Sequence, residues 1–386
     1  MRVLFQYFKG GGGGLSNIIL LLKALARSYP QDHIDIVCLG SSELCSLGEL
    51  PNIGIVAYGG KRSQEIERLF LGFGGLNRIA KERRADIIWS QNLGSYLRTS
   101  VPQVLSVNNA YQTCSWELTR HHPGNRFHVA ALRWFFRKSL RVSDGVIVQT
   151  PAMGECVKMI SGAPELLEIS PKAVENAEDV VNKPLPAEVL RQFESGPKKQ
   201  AFTFLYVGTY FPHKNHKTLI KAFDILASEG ANIRAVFTLG RAEAAALGGG
   251  KAGRLIESGY LLPVGWTEKA SLKALYEACD ACLMPSILES LSSAHLEAMQ
   301  WGRPQIVSDL PYARDLCGDA AVYAAALDPA DWAQKIKKLA ADESLRKNLI
   351  AAGRERMKLY PRTWAEAAEK VHAFLEKVLE SSKNGH

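Results

Sequence analysis

The sequence predicts an α/β protein built from two Rossmann-like domains, and three observations lead to that prediction. The chain has 386 residues, beyond the roughly 250–300 at which a single core stops growing. Short apolar runs alternate with stretches of helical apolar spacing, the rhythm of a mostly parallel sheet covered on both faces. That rhythm stops in a proline-punctuated stretch and then restarts, which joins two halves near residues 180–200.

In the first half, Arg2 to Phe8 reads as a strand and Gly10 to Gly14 as a glycine turn. Leu15 to Ser28 follows as a helix with Ile18, Ile19, Leu22, Leu25 and Ala26 at helical spacing. Further strands are expected at Ile34 to Leu39, Ile53 to Ala57, Ile87 to Trp89, Val104 to Val107 and Val146 to Gln149. Helical patterns separate several of them, at Gln64 to Ala80 and Phe127 to Arg141. Pro164, Pro171, Pro184, Pro186 and Pro197 mark the break. The second half then runs strand Phe202 to Val207, helix Leu219 to Ser228, strand Ile233 to Leu239 and a strand near Leu262. Helix Leu272 to Ala278, strand Ala281 to Met284, helix Ser293 to Trp301 and strand Gln305 to Ser308 complete it. The expected domains are 1–185 and 186–362, with a last helix within 363–386, after Pro361, able to pack back on the first.

Composition narrows the class. An apolar share of 47% and a charged share of 22% belong to an ordinary globular protein, not to a disordered or collagen-like one. The N-terminal apolar run reads as too short for a signal peptide, and Ile18 to Leu22 falls far short of the ~20 residues of a membrane span. A cytoplasmic protein is the expectation. Seven scattered cysteines suit a reducing compartment better than a disulfide framework. Cys279 and Cys282 form a single C-x-x-C, expected to be buried structural thiols and not a metal or redox site. The formal charge of +8 admits phosphate-bearing ligands or an anionic membrane surface. Nucleic acid is disfavoured, because no zinc-finger spacing or RNA-binding aromatic signature is present.

The strongest local signal is PSILESLSSAHLEAMQWGRP, Pro285 to Pro304. Ser292 or Ser293 suits the N-cap of a helix ending at Gly302. Glu289 then lies in the preceding loop, the backbone N–H groups of Leu291, Ser292 and Ser293 at the helix start, and Glu297 in the second turn. A helix start of this kind holds phosphate through its N–H groups and dipole. A carboxylate one turn in can accept hydrogen bonds from vicinal hydroxyls, as acidic residues do with ribose. The plainer alternative is a helix-start charge and a surface glutamate. A second signal, Gly208-Thr209-Tyr-Phe-Pro-His-Lys214-Asn215, follows the strand Phe202 to Val207. Gly208 lets backbone approach a ligand at the carboxyl end of the sheet, and Lys214 is a point charge for a diphosphate or else a solvated turn lysine. His213 and His216 read as ordinary loop histidines.

Together these segments resemble the donor-binding half of GT-B glycosyltransferases, specifically the retaining family 4. The resemblance runs through VGTYFPHKNHKTLIKAF, VGWTEKASLKALYEACDACLMPS and ESLSSAHLEAMQWGRPQIVSDLPYARDLCGDAAVY to YPRTW at 360–364. It covers the C-terminal half well and the N-terminal half only in layout. It implies a GT-B fold whose two domains face a central cleft. It also implies retaining transfer from a nucleotide-diphosphate sugar to a glycan or lipid-linked acceptor, with no metal or other cofactor. By the same resemblance Glu297 binds ribose, and Glu289 touches donor-sugar hydroxyls as a catalytic residue with Lys214. Leu291, Ser292 and Ser293, near Gly208 and Thr209, hold the diphosphate, and Gly265-Trp266 lies beside the base.

Three departures stand out. Thr209 replaces the arginine common after the first-strand glycine, leaving Lys214 as the clear cation. Ser290-Leu291-Ser292-Ser293 replaces the usual F-G-L. Asn108-Asn109 replaces the usual His-Asp, which bears on donor identity more than on reaction type. The resemblance makes the glycines at 12, 13 and 14 a close-approach loop facing the cleft, the alternative being a merely flexible turn; their register fits neither G-x-G-x-x-G nor a P-loop. The basic, aromatic stretch Arg120 to Arg141 suits either an anionic membrane or a core-packed helix with snorkelling cations. A non-catalytic sugar-nucleotide or glycan-binding protein, an epimerase and a phosphorylase on the same fold are the rival expectations.

Overall fold

The computed structural model describes residues 1–7, 13–58, 64–113, 126–174, 183–195 and 197–384. Two compact units emerge. Among the described residues, one runs to Ala173 and takes in the C-terminal segment from Pro361, and the other comprises Val174–Tyr360.

The first unit is built on a parallel sheet of β1 (Arg2–Gln6), β2 (His33–Leu39), β3 (Ile53–Tyr58), β4 (Ile87–Gln91), β5 (Gln103–Val107), β6 (Gly145–Val148) and β7 (Leu166–Ile169). Their order is β3-β2-β1-β4-β5-β6-β7. Every residue of β4, β5 and β6 is buried, as expected of strands covered on both faces. The C-terminal helix, Trp364–Asn384, packs into this unit's core, placing Ala368, Val371, Phe374, Leu375 and Val378 with Leu22 and Leu25 of the helix Gly13–Ser28. Gly145 permits that approach, because a Cβ there would lie 2.7 Å from the Val378 methyl. His372 Nε2 sits 2.7 Å from Asp32 Oδ2, and its ring stacks on Tyr29 at 3.5 Å.

The second unit holds β8 (Phe202–Tyr206), β9 (Ile233–Phe237), β10 (Leu261–Pro263), β11 (Ala281–Met284), β12 (Gln305–Ser308) and β13 (Ala321–Ala324). Their order, β10-β9-β8-β11-β12-β13, is the doubly wound arrangement. In each sheet the winding reverses beside the first strand, between β1 and β4 and between β8 and β11. Ligands of open α/β sheets bind at such switch points, outside the carboxyl ends of the strands.

Several elements depart from the sequence expectation. The pattern Gln64 to Ala80 is two helices, Gln64–Phe70 and Leu76–Arg83, parted by a wide turn at Leu71–Gly75. Phe73 and Gly74 leave helical geometry there, Gly74 at φ +118. A side chain at Gly72 would meet the Tyr96 ring at 2.1 Å, so the kink and the tyrosine are packed as one. The first helix begins at Gly13 and not at Leu15; Gly10, Gly11 and Gly12 lie outside the described residues. The helix after β11 ends at Gln300, with Trp301 as its C-cap and Gly302 at φ +64. Arg303 N donates to Ala298 O and Gly302 N to Met299 O, the paired bonds that close a helix through a left-handed glycine. Strands β7 and β13 and the helices Pro151–Lys158, Ala187–Glu194, Pro329–Ala341 and Glu343–Met357 are not among the elements expected from the sequence, although Ala187–Glu194 and Pro329–Ala341 each turn an apolar face inward through Val189 and through Trp332, Ala333, Ile336 and Leu339. Among the described residues, no helix is long and apolar enough to cross a membrane.

Candidate functional site

The site is assembled by the loops leaving β8 and β11, the two strands flanking the switch point of the second sheet. After β8 the chain passes Gly208 and exposed Thr209, then makes one 3₁₀ turn at Pro212–Lys214. It reverses at Asn215 in the left-handed region, φ 57 and ψ 30, and enters the helix His216–Ser228. After β11 the chain runs from Pro285 to the helix Ser293–Gln300. The two loops are bound to each other. Ile287 N donates to His213 O at 2.8 Å, and Asn215 Nδ2 donates to Pro285 O at 3.0 Å and to Ala326 O at 2.7 Å. Two buried tyrosines brace the loops from beneath: the Tyr206 hydroxyl donates to Lys214 O and the Tyr312 hydroxyl to Ser286 O, each at 2.6 Å.

This frame aims Lys214 at Glu289. Lys214 Nζ lies 2.6 Å from Glu289 Oε1, with the two side chains only 21% and 12% exposed. Burial by itself would raise the Glu289 carboxyl. The Lys214 charge and hydrogen bond, aided by the His213 charge and the Ser286 hydroxyl, outweigh it and hold the group below its ordinary range. Ion pairs this enclosed seldom add net stability, because desolvation offsets their attraction. A coupled pair at a sheet switch point is a functional-site signature.

Beside the pair stands the tip of Ser293–Gln300. Ser292 occupies the N-cap, but its hydroxyl makes no capping bond, contrary to the expectation of a serine cap. The first-turn N–H groups of any helix lack intrahelical partners, and here the cap side chain does not satisfy them. Leu291 and Ser292 are buried and Ser293 is exposed. One turn in, half-buried Glu297 has Oε2 held at 3.0 Å by the Tyr276 hydroxyl. Burial, then the Glu297 charge, pushes the Tyr276 phenol well up, so it stays a proton donor to that carboxylate.

Lys214, Glu289, Leu291, Ser292, Ser293 and Glu297 are therefore brought to one end of one sheet, together with Gly208. Gly208 N accepts no strain: it donates to Thr238 Oγ1 at 2.9 Å, and a Cβ there would meet the Tyr206 ring at an ordinary 3.7 Å. Gly265 does need its glycine, at φ +82, and presents Trp266, which is 76% exposed. Both line a groove of about 680 Å³ with Val189, Arg234, Gly240 and Arg241; Lys214, Glu289 and Glu297 do not line it. The remaining candidates belong to the first unit. Gly13 and Gly14 open its first helix, and Gly12 lies outside the described residues. Asn108 follows β5, its N–H donating to Asn92 Oδ1 at 2.8 Å and its side-chain amide bonding Gln91. Asn109 Oδ1 accepts from Tyr111 N at 3.1 Å.

Sequence reading missed Asn215, Tyr206, Tyr276, Ser286 and Tyr312, which position the site. Tyrosines at core spacing look alike whether or not their hydroxyls have work, and an asparagine directly before a helix reads as an ordinary cap, not as the left-handed bridge that Asn215 forms here. The view of His216 as a loop histidine is corrected. It is the first residue of a helix, buried against Tyr206 and Phe237, and neither ring nitrogen has a partner. His295, in Ser293–Gln300, is likewise buried and unpartnered. Burial, with the Lys214 and His213 charges, lowers His216 to about 3. Burial lowers His295 to about 4, the Glu289 charge opposing and the Lys214 charge assisting. Both rings bind a proton in the unfolded chain before they do in the folded one, so stability is lost as pH falls below 6.5. Unfolding in urea is expected to show a loss of about 2 kcal/mol per histidine between pH 6.5 and pH 5. His295→Leu should remove its share of the slope, and an unchanged slope would refute the assignment.

Cys279 and Cys282 are buried free thiols, both pushed up chiefly by burial. Among the described residues, no group of three or more His, Cys, Asp or Glu is arranged to hold a metal ion.

Comparison with known proteins bears on the same loops. Residues 190–356 match the family model Glycosyl transferases group 1. The group 1 segment contains the whole Lys214–Glu289–Glu297 arrangement and the Gly265-Trp266 loop. Solved structures extend the likeness over nearly the entire chain. HepE from Anabaena, in complex with UDP and glucose, is 15% identical, with a TM-score of 0.69 over 98% of this chain and 100% of that one. Sucrose-phosphate synthase from Thermosynechococcus elongatus is 16% identical, with a TM-score of 0.70 over 98% and 99%. WaaG, a glycosyltransferase involved in lipopolysaccharide biosynthesis, is 16% identical, with a TM-score of 0.67 over 96% and 99%. The fold is GT-B. No curated protein matches the sequence.

Proposed function

We propose that this protein transfers a sugar from a nucleotide-diphosphate sugar to an acceptor hydroxyl, with retention at the anomeric carbon, as a family 4 enzyme. The observation that carries the reading is the enclosed Lys214–Glu289 pair, at 2.6 Å, beside a helix tip without a side-chain cap inside the group 1 segment. Departure of the nucleoside diphosphate places negative charge on its terminal phosphate. Lys214 and the amides of Leu291, Ser292 and Ser293 stabilise that charge where it develops, the effect that typically contributes most to such steps. Lys214 turns from Glu289 toward the diphosphate, which releases the carboxylate to orient hydroxyls of the transferred sugar. Glu297, steadied by Tyr276, accepts from the ribose hydroxyls. Gly208 and Thr209 border the phosphates, and Gly265 and Trp266 border the base. Gly12, Gly13, Gly14, Asn108 and Asn109 are assigned to the acceptor or to the cleft beside the donor sugar. No metal or other cofactor enters this scheme, charge neutralisation falling to Lys214 and the backbone. The acceptor is assigned to the glycan or lipid-linked class of bacterial polysaccharide synthesis, in the cytoplasm.

Because HepE is described with UDP and with UDP-glucose, UDP-sugars head the donor series, followed by GDP- and ADP-sugars. A specific donor is expected to raise the melting temperature, since ligands that bind only the folded state stabilise it. Glu297→Ala should keep the fold and weaken donor binding at least about tenfold, the loss of one charged hydrogen-bond acceptor. Unchanged donor affinity in Glu297→Ala would remove the ribose assignment. Donor binding without nucleotide release across a broad acceptor panel would make this a binding protein.

A further inference from the structure

The first unit presents an aromatic surface that the proposed chemistry does not use. The helix Arg126–Arg141 buries Val129, Phe136, Ser139 and Leu140 and turns Phe127 and Trp134 outward. Across from it stands the glycine-flanked turn of Leu71–Gly75, which carries Phe73 at its tip, 53% exposed. The two are joined by ring contacts: Phe73 on Tyr96 at 5.1 Å, Tyr96 on Phe135 at 4.9 Å, and Phe135 on Trp134 at 4.8 Å. Gly72 lets Tyr96 pack beneath the turn and Gly74 supplies its left-handed bend, so Phe73 is built outward and not left over. Exposed Phe70 and Leu97 extend the same apolar area.

Cations border these rings. The Arg78 guanidinium lies 5.5 Å from the Phe70 ring centre and the Lys138 ammonium 5.4 Å from that of Trp134. Arg126–Arg141 contains five Lys and Arg and no Asp or Glu. Among the described residues, Glu67 is buried and Glu82 pairs with Arg78 at 3.7 Å, so the charge this surface offers comes from exposed Arg137 and Lys138 of the helix and not from Arg78. Exposed rings beside exposed cations of one helix fit the interface of an anionic bilayer, with aromatics among the headgroups and cations on phosphates.

We propose that this surface docks the protein on anionic membrane, with Phe73 and Trp134 entering the headgroup region and Arg137 and Lys138 binding lipid phosphate. The 71–75 turn supplies as much of this surface as the basic helix does, and neither takes part in the proposed donor chemistry. The test is co-sedimentation with vesicles of phosphatidylcholine alone, or with about one-third phosphatidylglycerol, at low and high salt. Retention is expected only on the anionic vesicles and is expected to fall with salt. Phe73→Ser with Trp134→Ser, and separately Arg137→Glu with Lys138→Glu, should each cut retention at least about tenfold. Both pairs lie on the surface, so their melting temperatures are expected to match the parent. Trp134→Phe should keep retention while losing the part of the tryptophan fluorescence that brominated lipid quenches. No retention at low salt overturns the proposal, as does retention that neither double substitution lowers. If the substitutions change self-association or capture of a protein and not lipid retention, the surface is a protein interface and the membrane assignment fails.

Discussion

In a Lys214→Ala enzyme, kcat/KM for the cognate donor is expected to fall about 10²–10³-fold, the usual consequence of removing one preorganised donor to developing charge. Most of the loss should appear in kcat if the proposed transfer holds, because charge on a leaving diphosphate would grow along that reaction and Lys214 would be worth most where it is largest. A second effect separates this role from a merely structural one. Without Lys214, burial is left as the leading influence on Glu289, and its carboxyl rises from its present lowered value. The acid limb of the pH–activity profile should therefore move to higher pH in Lys214→Ala, while Lys214→Arg should hold it near its original place. A fall in activity without any shift of the acid limb would show that the pair is not coupled in the way its 2.6 Å contact implies.

Asn215→Ala is expected to be the most damaging substitution among the residues that merely position the site, at about 3 kcal/mol of stability. Two costs combine. Alanine at φ 57 meets the left-handed penalty of about 1 kcal/mol. The carbonyls of Pro285 and Ala326 also lose their shared amide donor, and unsatisfied buried groups cost about 1–3 kcal/mol. Asn215→Gly keeps the conformation but not the hydrogen bonds, so urea unfolding of the two variants divides one cost from the other. Donor-induced thermal stabilisation should weaken in both, since Lys214 is the preceding residue. Wild-type stability in both variants would mean that the bridge between the β8 and β11 loops is dispensable.

Glu289, Glu297 and Lys214 stood out as an ordered set spanning a strand end and a helix start, since each taken singly has an ordinary structural use. Their support did not stand out. Tyr276 and Tyr206 sit at spacings that any core aromatic would occupy, and only the position of a hydroxyl next to Glu297 or the Lys214 carbonyl distinguishes them. The break in Gln64 to Ala80 could have been suspected from its glycines, yet the reason for it, the Tyr96 ring under Gly72, lies in a residue more than twenty positions away.

The amino-acid order alone determined the alternation of strands and helices and the division into two parallel sheets, because apolar periodicity and backbone propensity act within a few residues. It also singled out the two short segments, Gly208 to Asn215 and Pro285 to Pro304, on which the proposed phosphate site rests. Tertiary structure decided that Lys214 meets Glu289, that His216 and His295 are sealed without partners, and that the final helix completes the first unit. Those outcomes depend on contacts between residues far apart in the chain, and local spacing carries no record of the distance at which two loops will close.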